Sequence, residues 1–227
     1  MATQGPAKRD VPRGPQYETC AELPFQRLAH FFGLVSGQIP LQGNVPGKGL
    51  PPKERGRLLR RFMELYMPRT HDTYQIMRLL APDADRVQRG SYHLQQTKLA
   101  KALCMAANVP KGSEQESNVI NWRTRGSSKF VGDFPEACHK YVLNMCRIPE
   151  TALERKLDLT VGMVNEKLDE LASRARPNLE QKAETLKWFM QRTTSLQMKW
   201  IVCLILQHLK IGMAEETIIK VCGAISS

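Results

Sequence analysis

Residues 194–221 read TSLQMKWIVCLILQHLKIGMAEETIIKV, and this stretch decides the fold class. Thr194 and Gln197 have the spacing of a capping box, in which a hydroxyl and an amide side chain satisfy backbone N–H groups at a helix start. Every residue from Trp200 to Leu206 is apolar. A helix that is apolar on all sides is buried, so we predict that it lies between other helices. The apolar run is too short to cross a lipid bilayer.

The residues after this helix predict a tight helical hairpin. Residues 210–212 (KIG) are predicted to end the first helix, because glycine accepts the left-handed geometry common at helix C-termini. Met213 is predicted to begin the second helix, with two glutamates in its first turn. Two interpretations of the tip are open. Lys210 and Gly212 form a clamp for a phosphate backbone, or Lys210 complements the helix dipole and Gly212 is an ordinary cap.

The rest of the chain shows helical periodicity and no strand pattern. Ser91 is a candidate N-cap, and Pro82 and Pro149 are candidate helix stops. We therefore predict an all-α fold of about ten helices with bundle-like packing. The other predicted helices cover Leu23–Val35, Lys53–Met67, Thr70–Leu80, Ser91–Val109, Ser117–Arg123, Asp133–Ile148, Val161–Arg174 and Pro177–Thr193.

Charge and cysteine content restrict the class of partner. The 227 residues include 33 Lys and Arg against 22 Asp and Glu, a formal net charge of +11. Such a surplus favours a polyanion, either nucleic acid or an acidic membrane face. The six cysteines form no CxxC pair and are predicted to be reduced core thiols, with no metal site. They are Cys20, Cys104, Cys138, Cys146, Cys203 and Cys222.

Several short segments together resemble a known family. They are, in chain order, PF at 24–25, MRLL at 77–80, TKLAK at 97–101, NWR at 121–123, GDF at 132–134, LTV at 159–161 and KWIVCLILQHLKIGMAEETI at 199–218. In this order they resemble the N-terminal DNA-binding domain of ATP-dependent DNA ligases, most closely the ligase IV branch. The similarity extends over roughly 200 residues, from Glu22 to Val221.

The resemblance implies a function. In that family the domain is all-helical, grips nicked duplex DNA through its backbone and minor groove, and precedes the catalytic core. We therefore expect a nuclear DNA-binding domain over 22–222, preceded by a disordered arm over 1–21, that serves double-strand break repair by non-homologous end joining. The expected DNA contacts are Lys210, Gly212 and Met213 at the hairpin tip, with Lys98, Lys101 and Arg125. The alternative for the last three is a solvated helix face or a plain linker.

The ligase IV resemblance also implies a peptide partner. In that branch the two opening helices capture a short peptide of the nuclease Artemis in an apolar groove. The corresponding candidates here are Pro24, Phe25, Phe62 and Tyr66. An ordinary role in the core is the alternative for these residues.

No complete catalytic motif is present. The sequence contains no GxxxxGK[ST], GxGxxG, HExxH or GxSxG pattern. ATP-dependent ligases carry AMP on the lysine of a KxDG motif, and the nearest match, Lys167-Leu168-Asp169-Glu170, has Glu in place of Gly. We take it as a chance match, so the chain is expected to be inactive alone. ATP and Mg²⁺ would serve only a catalytic core beyond 223–227, which we interpret as the start of a tail or linker.

Two other classes stay open. One is a helical adaptor that binds a partner peptide through the apolar groove, with its charge serving solubility. The other is an intact small enzyme whose site has no recognisable motif. Neither membrane attachment nor an oligomer is expected from this sequence.

Overall fold

The computed structural model describes residues 17–39, 49–66, 72–125, 133–143, 159–173 and 177–226, without the side chains of 124–125 and 224–226. Within these ranges the fold is all-α, as predicted. The extended pairing in them is limited to an isolated bridge between Pro24 and Thr160. No helix in the described ranges is long and apolar enough to span a membrane.

Twelve α-helices and one short 3-10 helix form the described part of the chain. The 3-10 helix covers Cys20–Glu22. The α-helices are α1 (Phe25–Ser36), α2 (Pro52–Tyr66), α3 (Tyr74–Leu80), α4 (Pro82–Arg89), α5 (Gln96–Ala106), α6 (Glu114–Ile120), α7 (Trp122–Arg125), α8 (Phe134–Tyr141), α9 (Val161–Ala172), α10 (Leu179–Met190), α11 (Ser195–Ile205) and α12 (Glu215–Ser226).

Helix α11 lies in the centre of the fold, as its composition predicts. The capping box forms: the Thr194 hydroxyl accepts from the Gln197 N–H, and the Gln197 side chain accepts from the Thr194 N–H. Every residue from Gln197 to Ile205 is buried. The helix packs against α1, α8 and α10, and the Trp200 and Phe32 ring centroids are 5.2 Å apart.

The predicted end of α11 is wrong by several residues. Helix α11 stops at Ile205, and Gln207 takes the left-handed conformation at φ 55°. The His208 N–H donates to Cys203 O and the Gln207 N–H to Leu204 O, which is the hydrogen-bond pattern of a Schellman motif. The hairpin is therefore joined by a longer loop over residues 207–214, which we call the 207–214 loop.

The region around α4 and α5 also departs from prediction. Pro82 follows α3 and is also the first residue of α4. Its missing N–H has no cost there, because the first N–H groups of a helix have no partner within the helix. Ser91 does not cap α5, which begins at Gln96. The Ser91 hydroxyl instead accepts from the His93 N–H at 3.2 Å, and His93 has a left-handed φ of 50°. Residues 91–95 therefore form an irregular segment in front of α5.

The predicted domain boundaries, with an arm over 1–21 and a domain over 22–222, stay a prediction. Cys20 is buried and belongs to the 3-10 helix, so part of the predicted 1–21 arm is in the fold. Helix α12 extends to Ser226, past the predicted boundary at 222. Predictions for residues 1–16, for the end of the 133–148 helix, for 174 and for Cys146 lie outside the described residues. The other five cysteines are buried.

A partly buried ion network joins α3, α4 and α9. Asp85 accepts from Arg78 at 2.8 Å and lies 2.7 Å from Nε of Arg89. Asp169 lies 2.6 Å from Arg78 and 3.1 Å from Arg89. The Arg89 side chain is almost fully buried, and it also donates to Asn165 of α9. Because each buried guanidinium meets a carboxylate, the desolvation cost of these charges is offset.

Candidate nucleic-acid interface

The 207–214 loop carries an exposed lysine and an exposed glycine, two residues apart in the sequence. Leu209 and Ile211 are buried and anchor the loop, whereas Lys210 and Gly212 are exposed. Lys210 has a left-handed φ of 43°, and its side chain is 43% exposed. Its Nζ atom lies 3.8 Å from a carboxylate oxygen of Asp133, the N-cap of α8. Gly212 is exposed with φ 63°.

Helix α2 supports this loop from a distant part of the chain. A guanidinium nitrogen of Arg55 donates to the backbone carbonyl of Gly212. A Cβ atom at position 212 would collide with the same guanidinium group. Glycine suits the left-handed backbone at position 212, and an added Cβ would also have to displace the end of the Arg55 side chain. Neither Arg55 nor Asp133 was among the predicted site residues.

The other predicted DNA contacts lie on different elements. Met213 is half-buried and packs against the core, so only part of it faces solvent. Lys98 and Lys101 are exposed on α5. Lys98 lines an open groove of about 860 Å³, and so does Gln207 of the loop. Arg125 is the last residue of α7, and its side chain lies outside the described part of the structure.

Comparison with known proteins gives the family. The family model described as "DNA ligase N terminus" matches residues 24–223. The chain belongs to the DNA ligase N-terminal domain family. Three relatives named DNA ligase 4 are similar to it: the Neurospora crassa protein is 30% identical over 193 residues, the Arabidopsis thaliana protein 31% over 166 and the Dictyostelium discoideum protein 28% over 162.

These alignments cover 83%, 71% and 71% of this chain, in the same order. They cover only 18%, 13% and 14% of the relatives. The chain therefore spans less than a fifth of the length of the curated relatives that it matches. The predicted resemblance and the all-α fold of the ligase N-terminal domain are confirmed.

The KxDG-like match in this ligase N-terminal domain has an architectural role. The Lys167 ammonium lies 2.7 Å from both carboxylate oxygens of Glu170, and Leu168 is fully buried. Asp169 belongs to the α3–α4–α9 ion network. Among the described residues no group of three or more His, Cys, Asp or Glu side chains is placed to hold a metal ion.

The residues predicted for a peptide groove divide between core and surface. Phe25 is 0% exposed and Phe62 is 6% exposed, which are values of core residues. Pro24 and Tyr66 are half-buried. The Phe62 and Tyr66 ring centroids are 5.0 Å apart. Phe25 has a different backbone partner, because its N–H donates to the carbonyl oxygen of Leu159. The peptide site of this ligase N-terminal domain stays a prediction.

Ion pairing and burial shift the pKa values of three groups, on α8, α11 and α5. The pKa of Glu136 on α8 is lowered to about 2, first by a hydrogen bond with His139 and then by Lys199 of α11, against the opposing effect of burial. Lys199 is buried and contacts Glu136 Oε2. Burial raises the pKa of Cys203 to about 12 and that of Cys104 to about 11, so these thiols are not poised as nucleophiles.

Proposed function

We propose that this chain is the DNA-binding domain of a ligase 4-like enzyme, which grips nicked or broken duplex DNA through its backbone and minor groove. The observation that carries the proposal is the 207–214 loop of a ligase-family domain. It carries the partly exposed ammonium of Lys210 and, two residues later, the exposed Gly212, and a phosphate can be bound by a cation together with exposed backbone. Met213, next in the chain, faces the minor groove in this arrangement.

The charge of the chain supports the same function. A net charge of +11 strengthens attraction to a polyanion, and such binding is largely independent of base sequence. Lys98 and Lys101 are exposed on one helix, so they can contact phosphates without unfolding any part of the core. We place Arg125, at the end of α7, in the same group of phosphate contacts.

The role of the parent protein is part of this proposal. The relatives are named DNA ligase 4, and we propose that the parent acts in the nucleus in non-homologous end joining. Sealing of the nick, with its need for ATP and Mg²⁺, is proposed for the parent's catalytic core and not for the residues of this chain.

A competition titration tests the proposal. A fluorescently labelled nicked duplex is titrated with the chain at two salt concentrations, and unlabelled intact duplex is the competitor. We expect salt-sensitive binding at micromolar or lower concentration, with the nicked duplex retained better than the intact one. No binding at low salt, despite the charge of +11, would contradict a DNA-binding role.

A peptide site is a second proposal, and the aromatic rings of α1 and α2 favour it. The Phe31 and Phe62 centroids are 4.9 Å apart, and Phe62 is followed by the half-buried Tyr66, so the rings lead from the core to the surface. We propose that an apolar peptide of the Artemis type binds beside Tyr66 and Pro24. Loss of peptide binding in Tyr66→Ala, with DNA binding unchanged, is the expected result. Peptide affinity equal to that of the wild type would contradict this site.

A further inference from the structure

The groove lined by Lys98 and Gln207 is a surface that the sequence does not reveal. Its volume is about 860 Å³, and its walls come from segment 91–95, the first turn of α5, α7 and the end of α11. Its lining residues fall in four parts of the chain, at 86, 91–98, 120–123 and 205–207, which meet only in the folded domain. We call it the α5 groove.

All charged side chains that line the α5 groove are basic. Arg86 of α4, Lys98 of α5 and Arg123 of α7 are among its lining residues, and no carboxylate is found among the described residues that line it. The three cations are exposed. Like charges that converge on one concave surface repel one another, so a site of this kind is suited to a bound anion.

Uncharged neighbours hold Arg123 over the groove. Its guanidinium carbon lies 5.1 Å from the centroid of the Trp122 ring, and its Nη2 donates to the side chain of Gln96 at 3.2 Å. A guanidinium stacked in this way keeps its remaining N–H donors for a ligand. A fork of parallel N–H donors matches the oxygens of a phosphate.

The wall behind the groove adds further positive potential. The buried Lys182 ammonium donates to the carbonyl of Tyr92, a lining residue, at 2.8 Å. Burial, and then the neighbouring Lys98, lower the pKa of Lys182, which weakens the contribution of this ammonium. Helix α5 also begins at the groove, and the Gln95 side chain does not cap it. The positive end of the α5 dipole therefore acts in the same direction as the three exposed cations.

The α5 groove is continuous with the 207–214 loop. Leu206 and Gln207 line the groove, and the Gln207 side chain donates to Gly90 O at 3.3 Å, which fixes this junction. Lys210 is three residues further along, a distance of at most about 10 Å. One strand of duplex DNA advances about 3.4 Å per nucleotide, so a strand held at Lys210 reaches the groove within about three nucleotides.

We propose that the α5 groove is a second backbone site of the domain, in which Arg123, Arg86 and Lys98 bind phosphates of the DNA strand that passes Lys210. This inference rests on the proposed DNA-binding function and adds to it the path of the strand and two arginines. The predicted ligand is the sugar–phosphate backbone of duplex DNA, held by charge and not by base sequence.

Salt dependence of binding tests the groove. Binding of a nicked duplex is measured across salt concentrations for the wild type, Arg123→Gln, Arg86→Gln and, as matched control, Lys220→Gln, which removes an exposed charge from α12 outside the groove. Each arginine variant is expected to flatten the plot of log K against log salt by about 0.9, the contribution of one phosphate contact. The control is expected to keep the wild-type slope.

The possible outcomes distinguish failure of the groove proposal from failure of the proposed DNA-binding function. If both arginine variants keep the wild-type slope while Lys210→Ala flattens it, the groove proposal is wrong and DNA binding through the loop stands. If the wild-type chain shows no salt-dependent binding, both proposals fail. Unchanged thermal unfolding of the arginine variants, expected for exposed side chains, excludes misfolding as the cause of a lost contact.

A second experiment distinguishes DNA from a small phosphorylated ligand. Backbone amide chemical shifts of residues 96–98 are followed while the chain is titrated with nicked duplex, with inorganic phosphate and with AMP. We expect shifts with the duplex at micromolar concentration and none with phosphate or AMP at the same concentration. Saturable shifts with AMP, without shifts from the duplex, would overturn the proposal in favour of a nucleotide site.

Discussion

Arg55 of α2 donates a hydrogen bond to the backbone carbonyl of Gly212, so a helix near the start of the chain fixes the loop near its end. The two residues are 157 positions apart. Because a guanidinium occupies the space of a missing Cβ, the loop conformation and the position of Arg55 depend on each other. Any change at either residue should therefore alter the surface that we assign to DNA.

Gly212→Ala tests this dependence. The variant should lose about 2 kcal/mol of unfolding free energy, from a left-handed φ that alanine disfavours and from displacement of Arg55. Gly112→Ala is the matched control, since Gly112 also has a positive φ, 79°, but an added Cβ meets nothing within 4 Å. Chemical denaturation of both variants gives the difference. Equal losses would show that Arg55 does not restrict position 212.

Asp133→Asn should release Lys210 for DNA. The ion pair is 3.8 Å long and half-exposed, so its loss should change stability by less than about 1 kcal/mol, and Asn still caps α8 well. Affinity for nicked duplex should rise on the order of threefold, because a carboxylate no longer competes with phosphate. The double variant with Lys210→Ala should show a smaller gain. A fall in affinity, or an equal gain in both backgrounds, contradicts the pairing.

The Glu136–Lys199 contact predicts a pH dependence. The pKa of Glu136 falls from 4.5 to about 2 in the fold, so the folded state favours the carboxylate. Its stabilising effect should be complete above pH 4.5 and disappear as the pH falls towards 2. The stability difference between the wild type and Glu136→Gln should narrow across this range. Glu184→Gln, at an exposed pair with Lys187, serves as control and should change stability little throughout. A difference that is constant with pH contradicts the assignment.

The α3–α4–α9 ion network should tolerate loss of its exposed member better than loss of its buried one. The Asp85 side chain is 5% exposed, whereas Asp169 is 47% exposed. Asp85→Ala removes the carboxylate nearest to the buried guanidinium of Arg89 and should lower the free energy of unfolding by about 3 kcal/mol. Asp169→Ala should cost about 1 kcal/mol, since water replaces the carboxylate. Denaturation curves that rank the two variants in the opposite order contradict this account.

Sequence reasoning located most helices and the central position of α11. It succeeded where apolar periodicity and capping residues agreed, as at Thr194 and Gln197. It failed where a local turn prevailed over periodicity. Gln207 adopts the left-handed conformation that ends α11, whereas we predicted this role for Gly212. Helix α5 begins at Gln96 and not at Ser91, because His93 before it is also left-handed. Non-glycine residues in this conformation leave no clear signal in a single sequence.

The candidate site was predicted less completely than the fold. Lys210 and Gly212 lie together on one exposed loop, as their neighbouring positions require. Their partners Arg55 and Asp133 come from other helices, and the α5 groove combines four separate segments. Contacts of this kind depend on how helices pack. A signal for α4 was present, however: Pro82 at the first helical position, acidic residues in the first turn and Gly90 at its end.

The central claim is that Lys210 binds a DNA phosphate, and salt titration of the wild type and Lys210→Ala tests it most directly. Affinity for nicked duplex is measured at several salt concentrations, with Lys220→Ala as the control for loss of a charge elsewhere. We predict that Lys210→Ala weakens binding and flattens the plot of log K against log salt by about 0.9. A Lys210→Ala plot that coincides with that of the wild type in both slope and affinity would contradict the assignment of the 207–214 loop to DNA.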